Sequence, residues 1–263
     1  MGEITSNYAT ILQVKKLDKN FGGLKAVQEF DLDLRQGEIK GLIGPNGAGK
    51  STVFNMISGL HKPNAGTVLF QNEDITGRSP DQIAKRGIAR TFQIVKLLQG
   101  ISVIETMKTA FFLSAGHTVF DALFQTRRYQ RREKWMEEQA LAYLALLGVD
   151  HLKNHKTNEL SYGLQRKVSI ARTLTLSPSV LLLDEPTCGL NHAEKDELIE
   201  SILHIKDKFE LSIILVEHDM QVIMNICDSI LVMNQGTAIA EGTSNEIRNN
   251  PHVIEAYLGT GTV

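Results

Sequence analysis

This 263-residue sequence predicts an α/β fold: a core of parallel strands between helices, carrying an antiparallel β layer and interrupted by an inserted α-helical subdomain. Three observations carry that prediction. The segments 39–43, 180–183 and 213–216 are largely apolar rather than alternating, as in parallel strands covered on both faces. The stretch Gly44-Pro45-Asn46-Gly47-Ala48-Gly49-Lys50-Ser51-Thr52 has the G-x-x-x-x-G-K-[ST] pattern of a phosphate-binding loop. It falls between the first of those strands and a helical face of Val53, Met56, Ile57 and Leu60. From about 102 to 177 no strand pattern occurs, while helical spacing recurs at Leu141, Leu144 and Leu147 and again at Leu164, Val168 and Ala171.

The remaining elements follow in chain order. Residues 12–17 and 30–34 have the pattern of short strands in the antiparallel layer, which Val68-Leu69-Phe70 joins. Between the second and third core strands, Leu198, Ile202 and Ile205 repeat at helical spacing and predict a crossover helix of a βαβ unit. Residues 230–233 and 237–240 flank Asn234-Gln235-Gly236 as a hairpin, and Pro251–Leu258 reads as a short terminal helix. The expected division is a core over 10–101 and 178–245, a helical subdomain over 102–177 and a tail over 246–263.

Composition narrows the function classes. A hydrophobic fraction of 42%, a charged fraction of 22% and a formal net charge of -2 are ordinary for a globular protein and argue against nucleic acid as a main partner. No apolar run approaches the roughly 20 residues a membrane helix needs, and the polar start Met1-Gly2-Glu3-Ile4-Thr5-Ser6-Asn7 lacks a signal-peptide pattern, so a cytoplasmic location is expected. Arg127, Arg128, Arg131, Arg132 and Lys134 form a basic run whose favoured reading is a solvated helix face. Cys188 and Cys227 have no metal spacing and read as reduced thiols, Cys188 as a small buried one.

The loop sequence points to nucleotide phosphates. Its glycines let successive backbone N–H groups converge on an anion, and the helix that follows adds unpaired amides and the positive end of its dipole. Lys50 is expected to reach the β- and γ-phosphates and Ser51 to offer its hydroxyl to Mg²⁺. The strand over 180–183 runs into Asp184-Glu185, two carboxylates at a strand's carboxyl end, where open α/β sheets bind ligands. Asp184 is the candidate Mg²⁺ partner and Glu185 the candidate base for an attacking water.

Upstream of that strand lies Leu160-Ser161-Tyr162-Gly163-Leu164-Gln165-Arg166-Lys167-Val168-Ser169-Ile170-Ala171-Arg172, with Ser161 placed as an N-cap and Pro178 closing the helical pattern. Here the chain resembles the ABC-type ATPases, over nearly its whole length. Their signature usually reads Leu-Ser-Gly-Gly-Gln; this sequence retains Ser161 and Gly163 but places Tyr162 and Leu164 at two signature positions, with Gln165 one residue later. The resemblance implies a P-loop NTPase core of the ABC ATPase fold that binds and hydrolyses ATP with Mg²⁺. It further implies that Phe21 stacks on adenine, that Gln93 is the Q-loop glutamine facing nucleotide and metal, that Gly189-Leu190-Asn191 is the D-loop and that His218 is the switch histidine. Ser161 and Gly163 would then face the γ-phosphate bound by a second ABC subunit.

The run Gly87-Ile88-Ala89-Arg90-Thr91-Phe92-Gln93, the Leu-Ser-Tyr-Gly signature and the tail with Asn249-Asn250-Pro251 and Ala256-Tyr257-Leu258-Gly259 resemble the ATP-binding subunits of branched-chain amino-acid ABC importers. That likeness implies membrane permease subunits as partners, a second ATPase subunit, an extracytoplasmic solute-binding protein acting indirectly, and a place on the inner face of the cell membrane. Importers of urea or short amides share much of the pattern. A non-transport ABC ATPase is the alternative of another class, although the twin domains or long coiled coil common there are not found in this sequence. Lys50, Asp184, Glu185 and His218 argue against a catalytically silent subunit, and no Asn-Lys-x-Asp motif supports guanine recognition.

Overall fold

The computed structural model describes residues 9–91, 97–98, 100–115 and 127–258. Strands β1 (Thr10–Phe21) and β2 (Leu24–Arg35) form an antiparallel hairpin twice as long as the apolar pattern suggests. Register shifts interrupt the pairing around Lys16 and Glu29, both at positive φ, and the displaced backbone N–H groups donate to Asp31 and Asp18 carboxylates at 2.9 and 2.8 Å. A bulge breaks the period-two alternation, so the outer halves of both strands are hidden from a pattern reading. After β3 (Ile39–Ile43) and helix α1 (Lys50–Ile57), β4 (Ala65–Phe70) pairs with β1 and β5 (Glu73–Asp74) closes the four-stranded layer in the order β2-β1-β4-β5.

Helix α2 (Pro80–Arg86) leads into β6 (Ile88–Arg90), a three-residue strand too short to show a period. The helical section follows: α3 (Val103–Ala115), α4 (Arg127–Leu146) and α5 (Tyr162–Leu174). In α4 the buried face is Met136, Ala140 and Leu144, spaced four apart; Leu141 is only half-buried and Leu147 lies just past the helix. Of the basic run, Arg131 and Lys134 are exposed, as a solvated face requires.

The chain then returns to the sheet through β7 (Val180–Asp184), the crossover helix α6 (His192–Phe209) and β8 (Ser212–Val216). It finishes with α7 (Met220–Ile226), the hairpin β9 (Ser229–Asn234) and β10 (Thr237–Gly242), α8 (Ser244–Arg248) and α9 (Pro251–Leu258). The six-stranded sheet has the order β10-β9-β3-β8-β7-β6, parallel except for the β9–β10 hairpin.

Every residue of β3, β7 and β8 is buried, and alternate residues serve different cores. Leu181, Leu183, Ile213 and Leu215 face a cluster shared with the helices, including Met107, Leu144, Val168, Leu198 and Ile202. Val180, Leu182, Ile214 and Val216 face the antiparallel layer, where they join Leu12, Leu17, Phe30 and Val68. Burial on both faces is the reason these strands are apolar throughout. Glu38, buried Lys40 and Glu241 pair across this sheet and tie the edge strand β10 to the centre.

Cys188 corrects the sequence expectation of a buried thiol: it is exposed. The chain leaves the sheet after Asp184, and the turn that follows inserts Leu190 while Cys188 and Gly189 point to solvent. Cys227 is half-buried, and burial pushes its thiol up to about 12.

Candidate functional site: a phosphate cleft at the carboxyl edge of the sheet

The loop over 44–49 connects the end of β3 to α1, so it is held between a buried strand and a buried helix face. Two of its glycines are dictated by close backbone approach. At Gly44, φ 151, a Cβ would lie 2.1 Å from the Met233 carbonyl oxygen; at Gly49, φ 106, it would lie 2.6 Å from that of Ala26. Helix α1 begins with no capping side chain and no acidic residue in its first turn. Its first N–H groups and its dipole are therefore directed at an anion rather than at the protein's own carboxylates.

Lys50 is 5% exposed and folds back over the loop, where its Nζ donates to the Gly44 carbonyl at 2.6 Å and the Pro45 carbonyl at 2.9 Å. Burial holds its ammonium below the usual lysine range, opposed by the nearby Glu185 and Asp184 carboxylates. A phosphate oxygen entering the loop supplies the charge partner that the two carbonyls replace only in part.

Asp184 and Glu185 diverge at the end of β7. Asp184 is buried and its Oδ2 accepts from Arg90 Nη2 at 2.8 Å. Glu185 takes a left-handed φ of 46, with its N–H donating to the Val216 carbonyl at 2.8 Å. That conformation is costly for a residue with a Cβ. It turns the Glu185 carboxylate to His218, whose Nε2 lies 2.7 Å from Oε1. The segment after β8 is fixed from behind: buried Glu217 accepts from the Thr187 N–H and hydroxyl, each at 2.7 Å, while Asp219 caps α7 and pairs with Lys195 of α6 at 2.6 Å.

A cleft of about 640 Å³ joins these parts, lined by Phe21, Lys25, the loop and helix start over 46–52, Glu185, His218 and Gln235. Phe21, at the end of β1, is 44% exposed on its rim, with Lys19 Nζ 5.2 Å from the ring centroid and His61 against its edge. A separate cleft of about 690 Å³ between Met220, Met224, Ile247, Val253 and Tyr257 holds none of the expected site residues.

Ser161 and Gly163 do not line the phosphate cleft. Ser161 is exposed as the N-cap of α5, its Oγ accepting from Leu164 N–H at 3.4 Å. Gly163 is packed against Leu190 and Glu194, whose side chains would each lie 3.3 Å from a Cβ at that position. Tyr162, at one unusual signature position, and the displaced Gln165 have structural partners. The Tyr162 hydroxyl accepts from Arg166, which is fully buried, and the Tyr162 ring lies beside Gly189 of the following loop. Gln165 Nε2 donates to the Leu160 carbonyl at 2.9 Å. Gln93 lies outside the described residues.

The donor set suits Mg²⁺. Among the described residues no group of three or more His, Cys, Asp or Glu side chains gathers around a point. A hard ion that keeps waters and shares nucleotide phosphates needs only one or two protein oxygens, for which the Ser51 hydroxyl and the Asp184 carboxylate are the candidates.

Sequence reading missed Arg90 as the partner of Asp184, Glu217 as the brace of the histidine segment and the Lys195–Asp219 pair. No spacing links residues 90 and 184; they meet because β6 and β7 are adjacent parallel strands, with Arg90 opposite Leu182.

A parallel sheet with a phosphate loop after its central strand, Glu185 and His218 lining the same cleft as that loop, and a separate antiparallel layer define an ATP-binding cassette. The ABC transporter family model matches residues 27–188, and a model described as branched-chain amino acid ATP-binding cassette transporter matches residues 239–262. The chain is 43% identical to the high-affinity branched-chain amino acid transport ATP-binding protein LivG of Escherichia coli (strain K12), across 95% of this chain and 98% of that protein. A crystal structure of a nucleotide-free ATP-binding cassette from an ABC transporter superposes with a TM-score of 0.83 at 33% identity, covering 95% of this chain and all of the other. A dimeric cassette in a post-hydrolysis state with ADP and phosphate gives a TM-score of 0.74 at 25% identity, covering 89% and 98%. The chain belongs to the ABC transporter family.

Proposed function

We propose that this chain is the ATP-binding and hydrolysing subunit that powers an ABC importer of branched-chain amino acids. The observation that carries the reading is the pairing of Glu185 with His218 at 2.7 Å in the cleft formed by the phosphate loop. The likeness to LivG over 95% of the chain and the match over residues 239–262 support the transported class and favour it over urea or amides.

The chemistry follows from the residues present. The loop over 44–52 cradles the phosphates with backbone N–H groups, and Lys50 exchanges the Gly44 and Pro45 carbonyls for β- and γ-phosphate oxygens. Phe21 offers a ring at the rim for adenine. Ser51, Asp184 and Gln93 are the residues that would hold Mg²⁺, which when bound neutralises charge developing on the phosphates. Glu185 accepts a proton from the water that attacks the γ-phosphorus, and the bond to the β–γ bridging oxygen breaks to leave ADP and phosphate. His218 orients Glu185 and the γ-phosphate from the other side. Ser161 and Gly163, outside this chain's own cleft, complete the site of a second ABC subunit; the dimeric cassette among the similar structures supports that arrangement. Among the described residues no helix is long and apolar enough to cross a membrane, and the proposed place is against permease subunits at the inner membrane face, with the solute-binding protein acting through them.

The test is Glu185→Gln in the transporter reconstituted with its permease and solute-binding protein. Retained ATP binding with turnover slowed about 10²–10⁴-fold and loss of leucine uptake is the expected result. Near-normal turnover rejects Glu185 as the base. ATPase stimulation by urea or acetamide, rather than by leucine, isoleucine or valine, rejects the proposed solute.

A further inference from the structure

We propose that Arg90 is a positioning residue that sets the spacing between the two metal-facing groups of the site, Ser51 and Asp184. The inference rests on the Mg²⁺–ATP reading above and deepens it. Arg90 ends β6, and among the described residues its guanidinium reaches both β7 and α1. Towards β7, Nη2 donates to Asp184 Oδ2 at 2.8 Å. Towards α1, Nη1 donates to Asn55 Oδ1 at 2.7 Å and Ser58 Oγ at 3.0 Å, and the guanidinium carbon lies 5.4 Å from the centroid of the Phe54 ring.

Asn55 stands four residues after Ser51, one turn along the same face of α1. One planar group therefore bonds both the strand that carries Asp184 and the helix that carries Ser51. The Arg90 and Asp184 side chains are each 8% exposed, so the link is shielded from water and from salt. With Oδ2 bonded to Arg90, rotation of the carboxylate is restrained, and its other oxygen is the one that would take the metal.

The alternative physical outcome is competition, in which the positive guanidinium weakens the attraction of Asp184 for a cation. Two effects outweigh it. Removing Arg90 leaves a buried carboxylate without the donor that holds it, free to rotate away from the metal position. Partners that orient a ligating carboxylate typically contribute about 10–100-fold to metal affinity. Lysine does not substitute, because a single ammonium lacks the fork that reaches Asp184 and Asn55 at once.

The experiment titrates Mg²⁺ against ATP affinity, by calorimetry on the full-length chain, for Arg90→Lys, Arg90→Met and Asn55→Ala. Melting temperatures and ATP affinity in chelator are measured beside it. The expected result is a Mg²⁺ midpoint raised by about 10-fold or more in Arg90→Lys, with affinity in chelator unchanged. Asn55→Ala moves the midpoint in the same direction by less, and it carries the test if Arg90→Met does not fold. A midpoint that stays in place while the melting temperature drops reduces Arg90 to a structural residue and overturns the proposal. A lowered midpoint, the mark of competition for Asp184, overturns it too. Wild-type ATP affinity that ignores Mg²⁺ overturns the metal reading itself and this inference with it.

Discussion

Lys50 is the residue at which the site's preorganisation is most visible. Its ammonium is buried, drawn below its usual pKa by desolvation, and satisfied by the carbonyls of the loop proposed to receive phosphate. The loop thus keeps its shape before nucleotide arrives, and binding replaces two neutral acceptors by anionic ones. Lys50→Ala is expected to weaken ATP binding about 10-fold or more, since a hydrogen bond to a charged group contributes roughly 1.5–3 kcal/mol. Equilibrium binding and phosphate release measured on the variant check this. Unchanged values in both would show that the loop over 44–52 is not the phosphate site. Glu185→Gln differs in kind, sparing binding and removing turnover, so the two variants separate cradle from base.

At the scale of elements, the histidine segment depends on α6 and α7, which Lys195 and Asp219 join at 2.6 Å. The Lys195 ammonium holds the Asp219 carboxyl below its ordinary value, and Asp219 raises Lys195 in return. A depressed carboxyl contributes stability that is complete above its unfolded pKa of roughly 3.9 and is lost as pH falls through the lower folded value. Lys195→Met is therefore expected to destabilise the chain by up to about 1 kcal/mol near pH 7. The difference from wild type should shrink as pH falls below roughly 3.9. Denaturant melts across pH provide the measurement, and a difference that grows on acidification would refute the assignment. The wider consequence is a looser His218, visible as slower turnover with ATP affinity preserved.

Two surfaces matter at the scale of the whole molecule, and their described residues do not line the chain's own cleft. The first is the exposed start of α5. Gly163 is packed against Leu190 and Glu194, so a large side chain there would disturb the chain itself and could not report on closure with a partner. Ser161→Asp is the cleaner variant: aspartate remains a good N-cap, yet it sets a negative charge where the proposed site places the partner's γ-phosphate. In the assembled transporter it should cut hydrolysis by about 10²-fold or more, the scale of losing one transition-state donor. ATP binding to the isolated chain should stay intact. Normal hydrolysis would remove Ser161 from the partner's site. The second surface is the segment leading from the sheet into α3, expected to meet the permease between residues 93 and 104. Gln93 falls outside the described residues, but Leu98 is 51% exposed, and its carbonyl accepts from the Thr157 hydroxyl at 2.6 Å. Leu98→Asp should depress transport several-fold more than basal ATPase, since an apolar contact of this size contributes about 1.5–3 kcal/mol. Parallel measurement of uptake and hydrolysis checks it; proportional losses would count against a coupling role.

The sequence by itself determined the chemistry that is local along the chain. The phosphate loop, Asp184-Glu185 at a strand end, the N-cap Ser161 and the apolar strands β3, β7 and β8 are each contained in a few neighbouring residues, so spacing and periodicity reveal them. The bulged ends of β1 and β2 and the three-residue β6 escaped, because they are stabilised by cross-strand partners and carry too few residues in regular alternation. Only the tertiary structure decided that Cys188 faces solvent and that Glu217 braces the His218 segment from behind. The same holds for Arg90, which joins Asp184 to α1. Those relations arise where parallel strands far apart in sequence lie side by side. A buried charge declares its partner only once both ends of the contact exist, and sequence distances of 30 and 94 residues give no such sign.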